Sequence, residues 1–273
     1  GFYQLDKPLQ VTQPDTILLG IGLTTLHPST DHAVISVGDL DGVRIAGLML
    51  DAGTKAPTES LMQIGDSNST LDHSQDPTII YDLFCRVGGT GELGTAKSCL
   101  TINSNNVIGD NLWLWRADHG ANVGWTINQS DTGLIVNGSD VSIYGLAVEH
   151  FQKNQTIWNG KNGKVVFYQS ELPYDVPQQS AWQDNGKLGY ASYKVAPNVS
   201  THQAIGLGIY NYFNVGDNIY AENAIEAPSS DAISFQNMIT VWLNGHANTG
   251  IKHIINGNGD SVSPEKRTAR LSK

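Results

Sequence analysis

The sequence predicts an all-β protein built as a single-stranded parallel β-helix, and three observations carry that expectation. The first is a recurring line of text. Val43-Arg44-Ile45-Ala46-Gly47-Leu48-Met49-Leu50-Asp51 returns as Val141-Ser142-Ile143-Tyr144-Gly145-Leu146-Ala147-Val148-Glu149, with a looser copy at Val107 to Trp115 and a truncated one at Val165 to Glu171. The second is the corners that lead into the copies, such as Gly38-Asp39-Leu40-Asp41-Gly42 and Asn137-Gly138-Ser139-Asp140. These residue types tolerate the left-handed backbone of a sharp turn. The third is composition: 40% apolar and only 15% charged, with 29 Gly, a turn-rich β signature rather than a helical or disordered one. A short alternating strand cannot bury its face alone, so repetition along a chain implies stacked rungs sharing one core. Ile45, Leu48, Leu50, Ile143, Leu146 and Val148 are the residues expected to face it.

Taken in order, the apolar runs Thr16 to Leu19, His32 to Val37 and Val43 to Leu50 fit strands on consecutive faces. Residues 64–98 read as one long excursion, polar at Asp66 to Asp76 and glycine-rich at Gly88 to Gly94. Rungs resume at Cys99-Leu100-Thr101-Ile102 and run to about Asp175. The Pro/Gln-rich stretch Pro173 to Gln183 breaks the period as a surface loop. The period returns at Ala204 to Ile209, Ile233 to Phe235 and Met238 to Leu243, and Ile251 to Asn256 reads as a last rung. One domain over residues 1–256 is expected, as the C-terminal part of a longer protein, with residues 257–273 a poorly ordered polar tail.

A net charge of −10 argues against binding nucleic acid, which needs a basic face, and no apolar run is long enough to span a membrane. Cys85 and Cys99 flank the glycine-rich segment. They are either two buried thiols or, in an oxidising compartment, a disulfide, and the latter is the expectation here. Five sequons, at Asn68, Asn128, Asn137, Asn154 and Asn198, fit a secreted glycoprotein. The opening Gly1-Phe2-Tyr3 reads as the start of a mature product or of a piece of a longer chain.

In register, Ile143 lies over Val165 at a spacing of 22, and the same offset places Glu149 over Glu171. The preceding copy has Trp115 at that place, followed by Arg116, Asp118 and His119; His150 follows Glu149, and Tyr174 and Asp175 follow Glu171. Rungs stack about 4.8 Å apart. Asp118, Glu149 and Glu171 are therefore candidate catalytic groups for polysaccharide cleavage, where one carboxyl must stay protonated and another ionised. Repulsion within such a column separates the two pKa values. The competing reading is a structural ladder in which Glu149 pairs with Arg116 or His150. Trp115, Arg116, His119, His150, Tyr174 and Asp175 are candidate substrate contacts. Among the aromatics near these rungs, Trp158 and Trp182 stand in polar text and are expected to form platforms for the apolar faces of sugar rings.

Rival motifs fall short. Gly89 to Gly94 fits G-x-G-x-x-G and Gly91 to Ser98 resembles a P-loop with Ala96 for its second glycine, yet the text that follows is strand-like where a phosphate cradle needs a helix. No zinc spacing and no G-x-S-x-G elbow occur. No metal ligands are assigned; Ca²⁺ is the one cofactor left open, because loop carboxylates and Asn are plentiful.

The segments Asp110 to Gly120, Val148 to Lys153 and Phe167 to Asp175 resemble secreted bacterial and fungal proteins of the pectate-lyase-like β-helix superfamily. That group is related to β-helix glycoside hydrolases and often fused to coagulation-factor-5/8-type (discoidin) domains. The resemblance implies a right-handed, pectin-lyase-like solenoid that acts on or binds polysaccharide outside the cell. Some relatives carry the name adenylyl cyclase, which little in these residues supports. The leading expectation is a glycoside hydrolase using Asp118, Glu149 and Glu171. The alternative is a non-catalytic polysaccharide-binding or cell-wall scaffold, with a polysaccharide lyase ranked lower.

Overall fold

The computed structural model describes residues 1–54 and 60–273. Its strands are β1 (Phe2–Leu5), β2 (Leu9–Val11), β3 (Ile17–Pro28), β4 (Ile35–Val37), β5 (Arg44–Asp51), β6 (Ser60–Ile64) and β7 (Ile79–Val87). There follow β8 (Ala96–Ile102), β9 (Ile108–Arg116), β10 (Ser130–Val136), β11 (Ser142–Glu149), β12 (Thr156–Trp158) and β13 (Gly163–Glu171). The rest are β14 (Gln183–Asp184), β15 (Lys187–Leu188), β16 (Tyr193–Val195), β17 (His202–Asn211), β18 (Tyr220–Glu226), β19 (Ile233–Trp242), β20 (Gly250–Ile255) and β21 (Thr268–Leu271).

The chain is all-β, and its strands alternate between two sheets apart from β14 and β15, which form a small antiparallel hairpin of their own. Among the described residues, one sheet runs β1-β3-β5-β7-β9-β11-β13-β17-β19-β21 and the other β2-β4-β6-β8-β10-β12-β16-β18-β20. Neighbours pair in parallel, apart from the antiparallel β19–β21 contact. Parallel sheets of this kind bury one face continuously, which is why Val, Ile and Leu recur at matched positions. Ile45, Leu48, Leu50, Ile143, Leu146 and Val148 all lie in the core, as expected.

One detail explains an irregularity in the repeat. Inward residues on β5 and β11 fall at Ile45 then Leu48, and at Ile143 then Leu146, a step of three rather than two. Gly47 and Gly145 stand between them with φ of +70° and +68°. This left-handed residue resets the parity of the strand. Asp82, Asn111, Gly206 and Asn237 hold the same place on β7, β9, β17 and β19, also with positive φ. Glycine, Asn and Asp accept that conformation at least cost.

The kink also hid a strand. Residues 64–98 are not a single excursion, because β7 crosses them and puts Ile80, Leu83, Cys85 and Val87 into the core. The polar segment before it is held down by His73, whose ring nitrogens lie 2.9 Å from Asp39 and 2.7 Å from Asp41. Burial opposes charge on His73, but these two carboxylates outweigh it and hold its pKa above the usual value. Nor is the end of the chain a loose tail. Val262 and Ala269 are buried, and β21 pairs with β19 and covers an open sheet edge.

Cys85 on β7 and Cys99 on β8 are disulfide-bonded, with Cα atoms 6.1 Å apart. The bond ties one sheet to the other through the core and closes the glycine-rich segment. Replacing both cysteines by alanine should lower stability by about 3 kcal/mol, the entropy of a loop of about 15 residues. A denaturant midpoint that does not move would refute this, as would two titratable thiols in the native protein.

Two of the five sequons serve the fold itself. Asn128 and Asn154 are buried, and the Asn128 amide donates to the carbonyls of Val87 and Ala117, while that of Asn154 donates to Ala191.

Candidate active site

The register places Glu149 of β11 opposite Glu171 of β13, with Trp115 of β9 on the other side of Glu149. Glu171 in turn neighbours Tyr210 of β17. The 22-residue offset therefore brings both carboxyls to the same strand end on adjacent strands.

Each carboxyl has its own environment. Glu149 accepts a hydrogen bond of 2.7 Å from the Trp113 indole. Burial, and then the Asp118 carboxylate, raise its pKa, while the bonds from Trp113 and Gln169 favour the ionised form. Glu171 accepts from the Tyr174 hydroxyl and, at 3.3 Å, from the Gln169 amide. Burial pushes its pKa up to about 7, reinforced by the negative charge of Glu149 and of Asp118. Burial acts on both Glu149 and Glu171, and Glu171, which also feels the charge of its neighbours, keeps part of its proton up to about pH 7.

Asp118 sits in the turn after β9, where it accepts 3.2 Å from the Trp115 indole and lies 2.9 Å from His119 Nδ1. Trp113 and Trp115 face the same side, their ring centroids 6.0 Å apart, and Trp113 is 44% exposed. Tyr174 packs edge-on against His150 at 4.4 Å and against Tyr212 at 5.0 Å. Trp113 is one of the aromatics that the sequence places in these rungs, whereas Gln169 and Tyr212 are not among its candidate site residues. The outward alternation back from Glu171 along β13 points to Gln169, and the shared parity of Trp113 and Trp115 puts both indoles on one face.

Five expected sugar contacts take other roles. Trp158 is 0% exposed. It continues the inward column formed by Val136 and Val195 on the neighbouring strands and stacks on Tyr193. Trp182 is also 0% exposed. The Pro/Gln-rich stretch before it folds back through a short 3₁₀ turn at Gln179–Ala181 and seats its ring on Phe213 at 5.3 Å. Neither Trp can serve as a platform. Arg116 is fully buried, donating to the carbonyls of Asn128, His150 and Gly124 and, in a bidentate pair of 3.0 and 2.7 Å, to Asp175. It and Asp175 tie together the turns that follow β9, β11 and β13. His150 is buried too, and burial drives its imidazole pKa down to about 4. It is neutral at ordinary pH and lies 3.6 Å from Asp118. Trp115, His119 and Tyr174 remain at the rim.

The glycine run that resembled a phosphate-binding loop joins β7 to β8, a strand at both ends. It lacks the helix N-terminus that a phosphate cradle requires.

The chain is 42% identical over 263 residues to an exo-β-1,3-glucanase of Streptomyces sp. (strain SirexAA-E / ActE), covering 96% of this chain and 43% of the relative. The solved structure of sacteLam55A from Streptomyces sp. SirexAA-E superposes with a TM-score of 0.96 at 40% identity, covering all of this chain and 49% of that one. A glutamate-to-alanine variant of sacteLam55A in complex with glucose gives the same TM-score of 0.96. The chain thus spans about half the length of the relatives it matches. The family described as the LAM55 pectate lyase-like domain matches residues 1–171, a stretch that holds Asp118, Glu149 and Glu171. On that match, which takes in every carboxyl of the column, the chain belongs to the LAM55 pectate lyase-like domain family.

Proposed function

We propose that the protein is a secreted glycoside hydrolase that cleaves β-1,3-glucan, with Glu171 as general acid and Glu149, together with Asp118, as the ionised partner. The observation that carries the reading is the pair of carboxyls on adjacent strands whose surroundings separate their roles. Glu171, pushed up to about 7, keeps a proton to give to the leaving oxygen. Burial raises the Glu149 pKa as well, but the bonds from Trp113 and Gln169 offset part of that rise, so Glu149 serves as the ionised partner that activates the attacking group opposite the positive charge of an oxocarbenium-like transition state. The glucan specificity and an exo mode follow the glucanase relative. Paired-carboxyl chemistry calls for no cofactor. We also read the two sheets as one right-handed parallel β-helix, in keeping with the strand order and with the usual hand of parallel crossovers.

Incubation with soluble β-1,3-glucan, with β-1,4-glucan and polygalacturonate as controls, tests the reading. Glucose should be released from the β-1,3-glucan alone. The rate should be sustained below pH 7 and fall about tenfold per unit above it, as Glu171 loses its proton. Binding without release would favour the scaffold reading. A rate that rises through pH 7 would remove Glu171 as the acid.

A further inference from the structure

The outward residues of β13 run Phe167, Gln169, Glu171, so the candidate acid shares a strand face with an aromatic ring 63% exposed to solvent. Among the described residues that ring has no aromatic or cationic partner. A single exposed apolar side chain is ordinary; the backbone beneath this one is not. Phe167 has φ of +65° and stands at the kink position that Gly47, Asp82, Asn111, Gly145, Gly206 and Asn237 hold on the other strands. Every other member of that row is a residue that accepts the left-handed region, whereas a bulky side chain there is strained. For folding alone, glycine or asparagine is the better residue at 167. Strain kept next to a candidate active site points from backbone to function.

The surroundings leave the ring usable. Its two neighbours across the sheet are Gly145 and Gly206, and a methyl group added to Gly206 would meet only the Phe167 Cα, at 4.0 Å. Both flanks of the side chain are therefore open. Four residues of strand separate Phe167 from Glu171, ~13 Å at most by the usual rise, which is beyond the sugar being cleaved.

Building on the proposed glucan hydrolysis, we propose that Phe167 is a platform on which a sugar ring of the glucan chain stacks, away from the bond that breaks, so that longer chains are bound more tightly. The occupant is a β-linked glucan because the face is continuous, through Gln169, with the carboxyl pair. An aromatic ring offers the apolar C–H face of a sugar the contact that ligand pockets take from aromatic walls.

Calorimetric titration of a β-1,3-linked hexasaccharide and disaccharide tests this, with Glu171→Gln as the background that prevents turnover. Adding Phe167→Ala should weaken hexasaccharide binding by about 2- to 10-fold, the worth of one aromatic contact, and weaken disaccharide binding less. Separately, Phe167→Gly in the otherwise unchanged protein should raise Tm by about 2–4 °C, since it removes the strain. A structural phenylalanine would lower it. Unchanged hexasaccharide affinity, an equal loss for both sugars, a fall in Tm, or no binding by the parent would each overturn the platform. Should Glu171→Gln retain full turnover while the affinities shift as described, the acid assignment fails and the platform stands.

Discussion

Glu171→Gln should lower turnover on β-1,3-glucan by about 10²–10⁴-fold, the usual contribution of a positioned general acid. Glutamine keeps the volume and can still accept from Tyr174, so the site keeps its packing while losing the proton it must give. The same variant should be more heat-stable than the parent above pH 7. The sign follows from the raised pKa. Glu171 titrates at about 7 when folded against an ordinary 4.5, so its contribution to stability is full below pH 4.5 and is lost as pH rises through about 7. An amide has no charge to bury, so this loss disappears. Melting curves at pH 5 and pH 8, beside initial rates, separate the outcomes. A variant that keeps its rate excludes Glu171 as the acid. A variant less stable than the parent at pH 8 contradicts the raised pKa.

Arg116→Met should cost about 3–5 kcal/mol, the penalty for breaking a buried ion pair by removing one partner. Asp175 would keep its charge with no guanidinium opposite it, and the carbonyls of Gly124, Asn128 and His150 would lose their donor. Those carbonyls belong to the turns that present Asp118 and Glu149, so turnover should fall as well. Arg116→Lys should recover only part of either loss, because an ammonium cannot reproduce the forked pair with Asp175. Denaturant midpoints for both variants, with kcat and KM measured where they remain folded, check this. A Lys variant as stable as the parent would show that charge alone suffices.

The stacking of rungs was legible because it rests on local pattern. Alternating apolar residues between Asn, Asp and Gly corners admit few other solids, and the offset of 22 between equivalent positions carries Glu149 onto Glu171 without any knowledge of side-chain packing. β7 is hard to see in the sequence because Asp82 resets its parity, so Ile80, Leu83 and Cys85 do not read as one alternating set. Asn111 does the same on β9, which is why that copy of the repeat looks loose.

Solvent exposure was the part that sequence text misjudged. Polar neighbours made Trp158 and Trp182 look like surface platforms, yet alternation turns Trp158 inward between Val136 and Val195, and a returning loop drops Trp182 onto Phe213. Arg116 looked like a substrate contact and is instead enclosed by carbonyls and Asp175. In each case, burial depends on where a distant segment lies.

The sequence by itself determined the parallel all-β architecture and the alignment of the two glutamates, since periodicity and spacing specify which residues meet along a stack; the bond between Cys85 and Cys99 it left as one of two alternatives, which the structure resolves. Only the tertiary structure decided how deeply each carboxyl is desolvated, which aromatics meet water and which charges are buried. Those properties depend on desolvation and on neighbours brought in by turns and excursions, and no local pattern encodes them.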